Sequence, residues 1–321
     1  MDSGVITPSA DTGTQGPVAD TGSAVVAEAG TDSAAPTGPV TLPEPDKVGP
    51  YAVKELDNVG KGFENPIDPG DVAGGEGSCA LFISLFTSDQ AEIDSFAKVP
   101  DTYKMDLYTL YYPEGGAPGQ RFPVLSWANG TCAHTVGYSD MIKHVVSHGF
   151  IVIATHSRQT GTGKAQLRGI DWVLTQDAAM DSPLFGRVNK ELVGVFGHSQ
   201  GGGSTGVASK DPRVKTSVLM HGGTGANLHA PAFFLTGEMD SPTTVRRNYD
   251  ASTVPVAFGN LKMSVHITMM NGKGSERMAP EVAAWFRYTL NNDEAAKKWF
   301  VGADCVLCKD PEWVYAQKNL K

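Results

Sequence analysis

Apolar positions along the chain change rhythm, and the change separates strands from helices. Continuous apolar runs at 150–156 (FIVIATH) and 191–199 (ELVGVFGHS) read as strands buried on both faces. The stretch 105–114 (MDLYTLYYPE) alternates instead and is rich in Tyr, Leu and Thr, the pattern of an antiparallel strand. The run 121–130 (RFPVLSWANG) ends in a turn, and 214–222, 230–238 and 253–260 read as further strands. Between them, apolar residues return at helical spacing. They do so at Met141, Val145 and Val146 in 139–149, closed by Gly149, and again over 165–177. A helix is predicted from Gln200 to near Ser209, and an amphipathic one over 280–293, led by Pro280. Strands alternating with helices predict an α/β fold: a mostly parallel, doubly wound sheet with helices on both faces. In such sheets the chemistry gathers beyond the C-terminal ends of the strands. Each candidate residue is therefore judged by whether it follows a strand.

The first 46 or so residues show neither rhythm. They are mostly Ala, Thr, Gly, Ser, Pro, Val and Asp, with no aromatic and no Lys or Arg. Such a stretch buries too little apolar surface to offset its ordering entropy. Residues 1–50 are read as a disordered acidic stalk or linker, and 51–321 as the folded domain, beginning at Tyr51, the first aromatic. A stalk of this kind can tether an exported domain to a surface anchor; a ragged terminus without a role is the alternative. The net charge of −9 sits in residues 1–75, which hold twelve acids and three lysines, so the remainder balances. Without a basic stripe, a nucleic-acid partner is excluded. No apolar run is long enough to span a membrane. The N-terminus lacks the basic start and apolar stretch of a signal peptide, so either the protein is cytosolic or an export signal has been removed.

Four cysteines, Cys79, Cys132, Cys305 and Cys308, bear on that choice. The Cys305–Cys308 spacing lacks the strand-helix context of a redox motif, and the other two stand too far apart for a zinc site. Two structural disulfides, 305–308 and 79–132, fit an oxidising compartment; four buried thiols in a cytosolic protein are the alternative. The even count and the stalk favour a secreted, periplasmic or cell-surface protein.

The stretch VGVFGHSQGGGSTG (193–206) contains the pattern G-x-S-x-G twice, around Ser199 and around Ser204. Ser199 directly follows a predicted strand and precedes a helix, the context of a nucleophile elbow, whereas Ser204 falls a turn inside the helix. The glycines beside Ser199 are needed because a strained elbow leaves no room for side chains two residues away. A serine hydroxyl needs a base, and the base an orienting acid. Asp240 stands at the end of APAFFLTGE, and His266 follows the next strand, preserving the order Ser, acid, His. Glu238 is the rival acid but still lies in the strand; His229 precedes the acid and breaks the order. The backbone N–H groups of Gln200, at a helix start, and Thr131, in SWANGTCA, are the expected oxyanion donors. Gly130, His198 and His221 are read as substrate-side residues, with packing as the alternative for His198. No metal or cofactor is required.

On these residues the chain resembles the α/β-hydrolases, and within them the bacterial cutinase-like polyester hydrolases, the PET-hydrolase and dienelactone-hydrolase-like group. The resemblance covers about residues 105–300, through VVSHGFIVIATHS, GRVNKELVGVFGHSQGGG and GEMDSPT. It implies an α/β-hydrolase fold and a Ser199, Asp240, His266 triad. Three departures stand out: His-Ser-Gln replaces Trp-Ser-Met at the elbow, Thr131 replaces a Tyr or Phe, and HGGTG (221–225) stands where that family carries Trp. Small or aliphatic esters, including polymeric ones, fit better than aromatic polyesters. Only about eight residues separate the strand ending at His221 from the one beginning near Ala230, too few for a cap domain, which predicts an open cleft. The expected activity is carboxylic-ester hydrolysis by a monomer. An acyltransferase or amidase on the same triad, or a non-catalytic surface binding module, is the alternative.

Overall fold

The computed structural model describes residues 41–64, 76–85, 87–98, 101–225 and 227–321. The expected stalk lies outside the described residues up to residue 40. In the described residues, nine strands form one sheet in the order β1-β2-β4-β3-β5-β6-β7-β8-β9. These are β1 (Val53–Val59), β2 (Tyr108–Pro113), β3 (Phe122–Ala128), β4 (Ile151–Thr155), β5 (Val188–His198), β6 (Val214–Met220), β7 (Ala232–Gly237), β8 (Val256–Leu261) and β9 (Trp313–Lys318). From β4 through β3, β5, β6 and β7 to β8, neighbours run parallel. The antiparallel pairs are β1 with β2, β2 with β4, and β8 with β9. The chain therefore has the α/β-hydrolase type of fold, mostly parallel and covered on both faces.

Every residue of β3, β4, β7 and β8 is buried, which is why their sequences read as unbroken apolar runs. Alternate side chains serve opposite faces. Val152 and Ala154 of β4, with Trp127 and Phe196, join the core under helices Ser139–Ser147 and Ala279–Asn291. Ile151 and Ile153 join the opposite core under helix Lys164–Gln176. On the first face Trp285 and Phe286 are fully buried, and the Trp285 indole N–H donates to the Thr216 hydroxyl at 2.8 Å. Each such aromatic or aliphatic side chain contributes about 1.5–3 kcal/mol through burial.

Two helices lie between β1 and β2, α1 (Glu76–Ile83) and α2 (Gln90–Ala97). The remainder are α3 (Ser139–Ser147), α4 (Lys164–Gln176), α5 (Gln200–Ala208), α6 (Pro242–Ala251), α7 (Ala279–Asn291), α8 (Glu294–Lys297) and α9 (Val306–Lys309). None of the described helices is long and apolar enough to cross a membrane.

The packed chain starts earlier than Tyr51. The carbonyl of Pro43 accepts a hydrogen bond from Arg287 at 2.5 Å, that of Pro45 from His144 at 2.8 Å, and that of Lys47 from His148 at 3.0 Å. Arg287 is almost fully buried on α7 and is also paired with Asp293 at 2.6 Å. What holds this strap is its carbonyl groups, which any sequence supplies; reading for side chains could not find it. Both cysteine pairs are bonded, Cys79 to Cys132 and Cys305 to Cys308. The second closes the turn around α9 that leads into the edge strand β9.

Candidate active site

Strand β5 ends at His198 and α5 begins at Gln200, leaving Ser199 alone on the bend between them. Its φ of 56° and ψ of −117° lie outside the regions an ordinary residue prefers. The bend is possible only because its neighbours lack side chains. A Cβ on Gly197 would collide with the Gly201 carbonyl, and one on Gly201 with the Ala128 carbonyl. Two other non-glycine residues near this bend, Cys132 and His221, also have positive φ, at 63° and 54°. Such strain persists only where the surrounding structure imposes it, and it clusters at functional sites. Ser204 lies fully buried in α5 and donates its hydroxyl to Gln166 Oε1 at 2.8 Å.

The structure brings Ser199, His266 and Asp240 together. His266 Nε2 stands 3.0 Å from Ser199 Oγ, and His266 Nδ1 stands 3.1 Å from Asp240 Oδ2. With the proton on Nδ1 bound by the carboxylate, Nε2 is free to accept from the hydroxyl. Asp240 follows β7 and turns in towards the site. Glu238 is exposed and accepts from the Met263 N–H at 3.0 Å, which fixes the loop carrying His266. His229 binds the Val214 carbonyl at 3.0 Å instead.

A second imidazole acts on the same carboxylate. His221 Nδ1 lies 2.6 Å from Asp240 Oδ2, closer than that of His266. Its side chain is fully buried, and its Nε2 has no hydrogen-bond partner among the described residues. An unpaired Nε2 holds no proton at low cost, so the proton resides on Nδ1 and His221 is a neutral donor. Burial holds the His221 pKa below its ordinary value. Burial pushes the Asp240 carboxyl upwards, but the hydrogen bonds from His221 and then His266 outweigh this, and its pKa lies well below the usual carboxylate range. His221 was expected to line the pocket; it is not among the residues that line the cavity at Ser199, and its buried ring contacts Asp240.

His198 is tied into a third arrangement. Its Nε2 faces the His266 carbonyl at 2.9 Å and must donate; its Nδ1 then accepts from the Tyr138 hydroxyl at 2.8 Å. The Tyr138 oxygen in turn accepts the Gly130 N–H at 3.3 Å. Burial, with His266 and His221 adding repulsion, keeps His198 neutral, far below its ordinary pKa. This relay links the loop after β3 to the loop that presents His266. Tyr138 carries no motif and was missed from sequence; only its burial with two polar partners reveals it.

Thr131 follows β3, and its loop is held from below. Asn129 is fully buried and donates to the carbonyls of Thr155 and Ser157, at 2.6 and 3.0 Å. The Gln200 side chain latches the neighbouring loop, accepting from the Thr160 N–H at 2.9 Å and donating to Gln159 at 2.7 Å. Among the described residues, no acceptor engages the backbone N–H of Thr131 or of Gln200. The Gln200 N–H stands at the start of α5, where the helix dipole favours negative charge.

Gly130, Thr131, Ser199 and His266 line one cavity of about 20 Å³. The β6–β7 connection is short, as expected, and holds no inserted cap. Phe82 and Ile83 of α1 also line this cavity, so the cleft beside Ser199 has an apolar wall from outside the sheet. Nothing in the sequence rhythm of Glu76–Ile83 marks it for that position. The ligand atoms of His221, Asp240 and His266 lie within 4.8 Å of one another, near enough to grip a cation. Both Nδ1 atoms are committed to Asp240, so a metal would have to displace two protons.

No curated protein matches the sequence closely enough to count as a relative. A family profile described as PET hydrolase-like matches residues 99–313, and this span takes in β2 to β8, the bend at Ser199, Asp240 and His266. The chain belongs to the PET hydrolase-like family, hydrolases that act on ester bonds of the polyester type.

Proposed function

We propose that the protein is a serine carboxylic-ester hydrolase working through an acyl-enzyme on small or aliphatic esters, polymeric ones included. One observation carries this reading: the unbroken hydrogen-bond chain from Ser199 Oγ through His266 to Asp240, set on a strained bend at the C-terminal edge of a parallel sheet. Ser199 attacks the ester carbonyl while His266 Nε2 takes its proton. Asp240 keeps the other imidazole proton in place and balances the charge that forms. The negative oxygen of the tetrahedral intermediate is received by the N–H groups of Thr131 and Gln200. His266 then returns its proton to the departing alcohol. A water molecule repeats the sequence to release the acid and regenerate the serine.

Two disulfides and the acidic, aromatic-free N-terminal segment support a secreted or surface-tethered protein, with the segment ahead of Pro43 as tether and the packed chain from there as catalytic domain. The test is turnover of p-nitrophenyl acetate and butyrate by the wild type and by Ser199→Ala. Loss of turnover in the variant supports the reading. Equal rates in the two proteins overturn it and favour a binding module. Transfer of the acyl group to added alcohol in preference to water points to an acyltransferase.

A further inference from the structure

Helix α1 lies ahead of the region that matches the PET hydrolase-like family, which begins at residue 99. It is nonetheless joined to the catalytic centre twice. Cys79 is bonded to Cys132, the residue after Thr131, across 53 positions of sequence. Ile83 is buried at 5% exposure, and with Phe82 it forms part of the cavity wall opposite Ser199, alongside Ala133, Ile267 and Met270. On the same helix Leu81 and Leu85, just past its end, are 72% and 74% exposed, so the helix rests on the domain by one side only. An eight-residue helix has no stability of its own in water. Its place is set by the covalent link, by the seating of Phe82 and Ile83, and by its packing on α2.

We propose that α1 is the acyl-side wall of the catalytic cavity, and that the Cys79–Cys132 disulfide holds it there. The oxidised protein is then selective for acyl groups of about acetyl size. This rests on the esterase reading given above. The volume supports it: about 20 Å³ is room for little more than one water-sized group. An acetyl methyl fits such a space, and a longer chain does not unless Phe82 and Ile83 retreat. Cutting the disulfide removes the covalent tie between the short helix and Cys132 and lets the wall move.

The test is the ratio of kcat/KM for p-nitrophenyl octanoate to that for p-nitrophenyl acetate. It is measured for wild type, Phe82→Ala, Cys79→Ser and Leu85→Ala. Wild type favours acetate. Phe82→Ala and Cys79→Ser each raise the ratio about tenfold or more, the scale on which a pocket senses added methylenes. Leu85→Ala, exposed on the same segment, leaves it unchanged. Dithiothreitol raises the ratio of the wild type and not that of Cys79→Ser, which separates this disulfide from Cys305–Cys308. A ratio unmoved by Phe82→Ala, or a parallel fall for both esters, overturns the assignment of the wall while leaving the esterase reading intact. No hydrolysis of either ester by the wild type overturns that reading, and the wall with it.

Discussion

Removing one oxygen atom tests whether the buried relay behind the site has the role its geometry gives it. In Tyr138→Phe the ring remains, fully buried and packed on Trp127 at 4.7 Å between centroids, so no cavity opens. What is lost is the hydroxyl that donates to His198 Nδ1 at 2.8 Å and accepts from Gly130 at 3.3 Å. Leaving a buried polar group unsatisfied costs about 1–3 kcal/mol. Here two groups are orphaned, one of them from a long and weaker bond, so about 2 kcal/mol is expected in urea unfolding, read from the midpoint with an unchanged slope. The kinetic consequence follows from what the relay joins. Gly130 precedes the expected oxyanion donor Thr131, and His198 grips the backbone of His266. Small misplacement of either reduces the reaction rate more than binding, so kcat should fall about tenfold to a hundredfold with little change in KM. His198→Phe should act in the same direction, and the double variant should cost less than the sum, as members of one network do. Stability within about 0.5 kcal/mol of wild type together with unchanged kcat would refute the reasoning.

Two further substitutions probe buried ionisable groups. Glu281 on α7 has an Oε2 with no hydrogen-bond partner among the described residues, and burial pushes its carboxyl up from 4.5 to about 8. The folded protein therefore holds a proton that the unfolded chain releases, so the associated stability is present below the unfolded value of 4.5 and lost as pH rises through about 8. Glu281→Gln should flatten the decline in Tm between about pH 5 and about pH 9, and an unchanged decline would count against a buried carboxyl as its source. His221→Phe removes the shorter of the two donors on Asp240, a hydrogen bond to a charged group worth about 1.5–3 kcal/mol. Because the Asp240 carboxyl is held low in the folded state, its contribution is present above the unfolded pKa and lost as pH falls through the folded one. With one donor gone the depression shrinks, and the Asp240 carboxyl of the folded protein, followed by NMR, should titrate at higher pH than in wild type. An unmoved titration would mean that His221 does little for the carboxylate.

The parts of the fold that could be read in advance were those whose environment is the same along their whole length. Strands β3, β4, β7 and β8 are buried on both faces, so apolar runs alone announce them. The edge strands β1 and β9 could not be read this way. VKELDNV is mostly exposed, and WVYAQK buries only Trp313, so neither carries a clean apolar pattern. Ser199 was legible because a bend of that kind needs Gly197 and Gly201, and the need is written in the residues. Asp240 and His266 were legible from their places after strands.

The sequence alone determined the layered α/β architecture and the places of Ser199, Asp240 and His266 just after strands, because burial period and steric tolerance are local properties of neighbouring residues. Only the tertiary structure decided what His221, His198, Tyr138 and Phe82 do. Each depends on a partner 8 to 68 positions away or on a cavity wall that exists only after folding. A polar atom has one set of partners in water and another once water is excluded, and which groups are buried together is settled by packing of the whole chain.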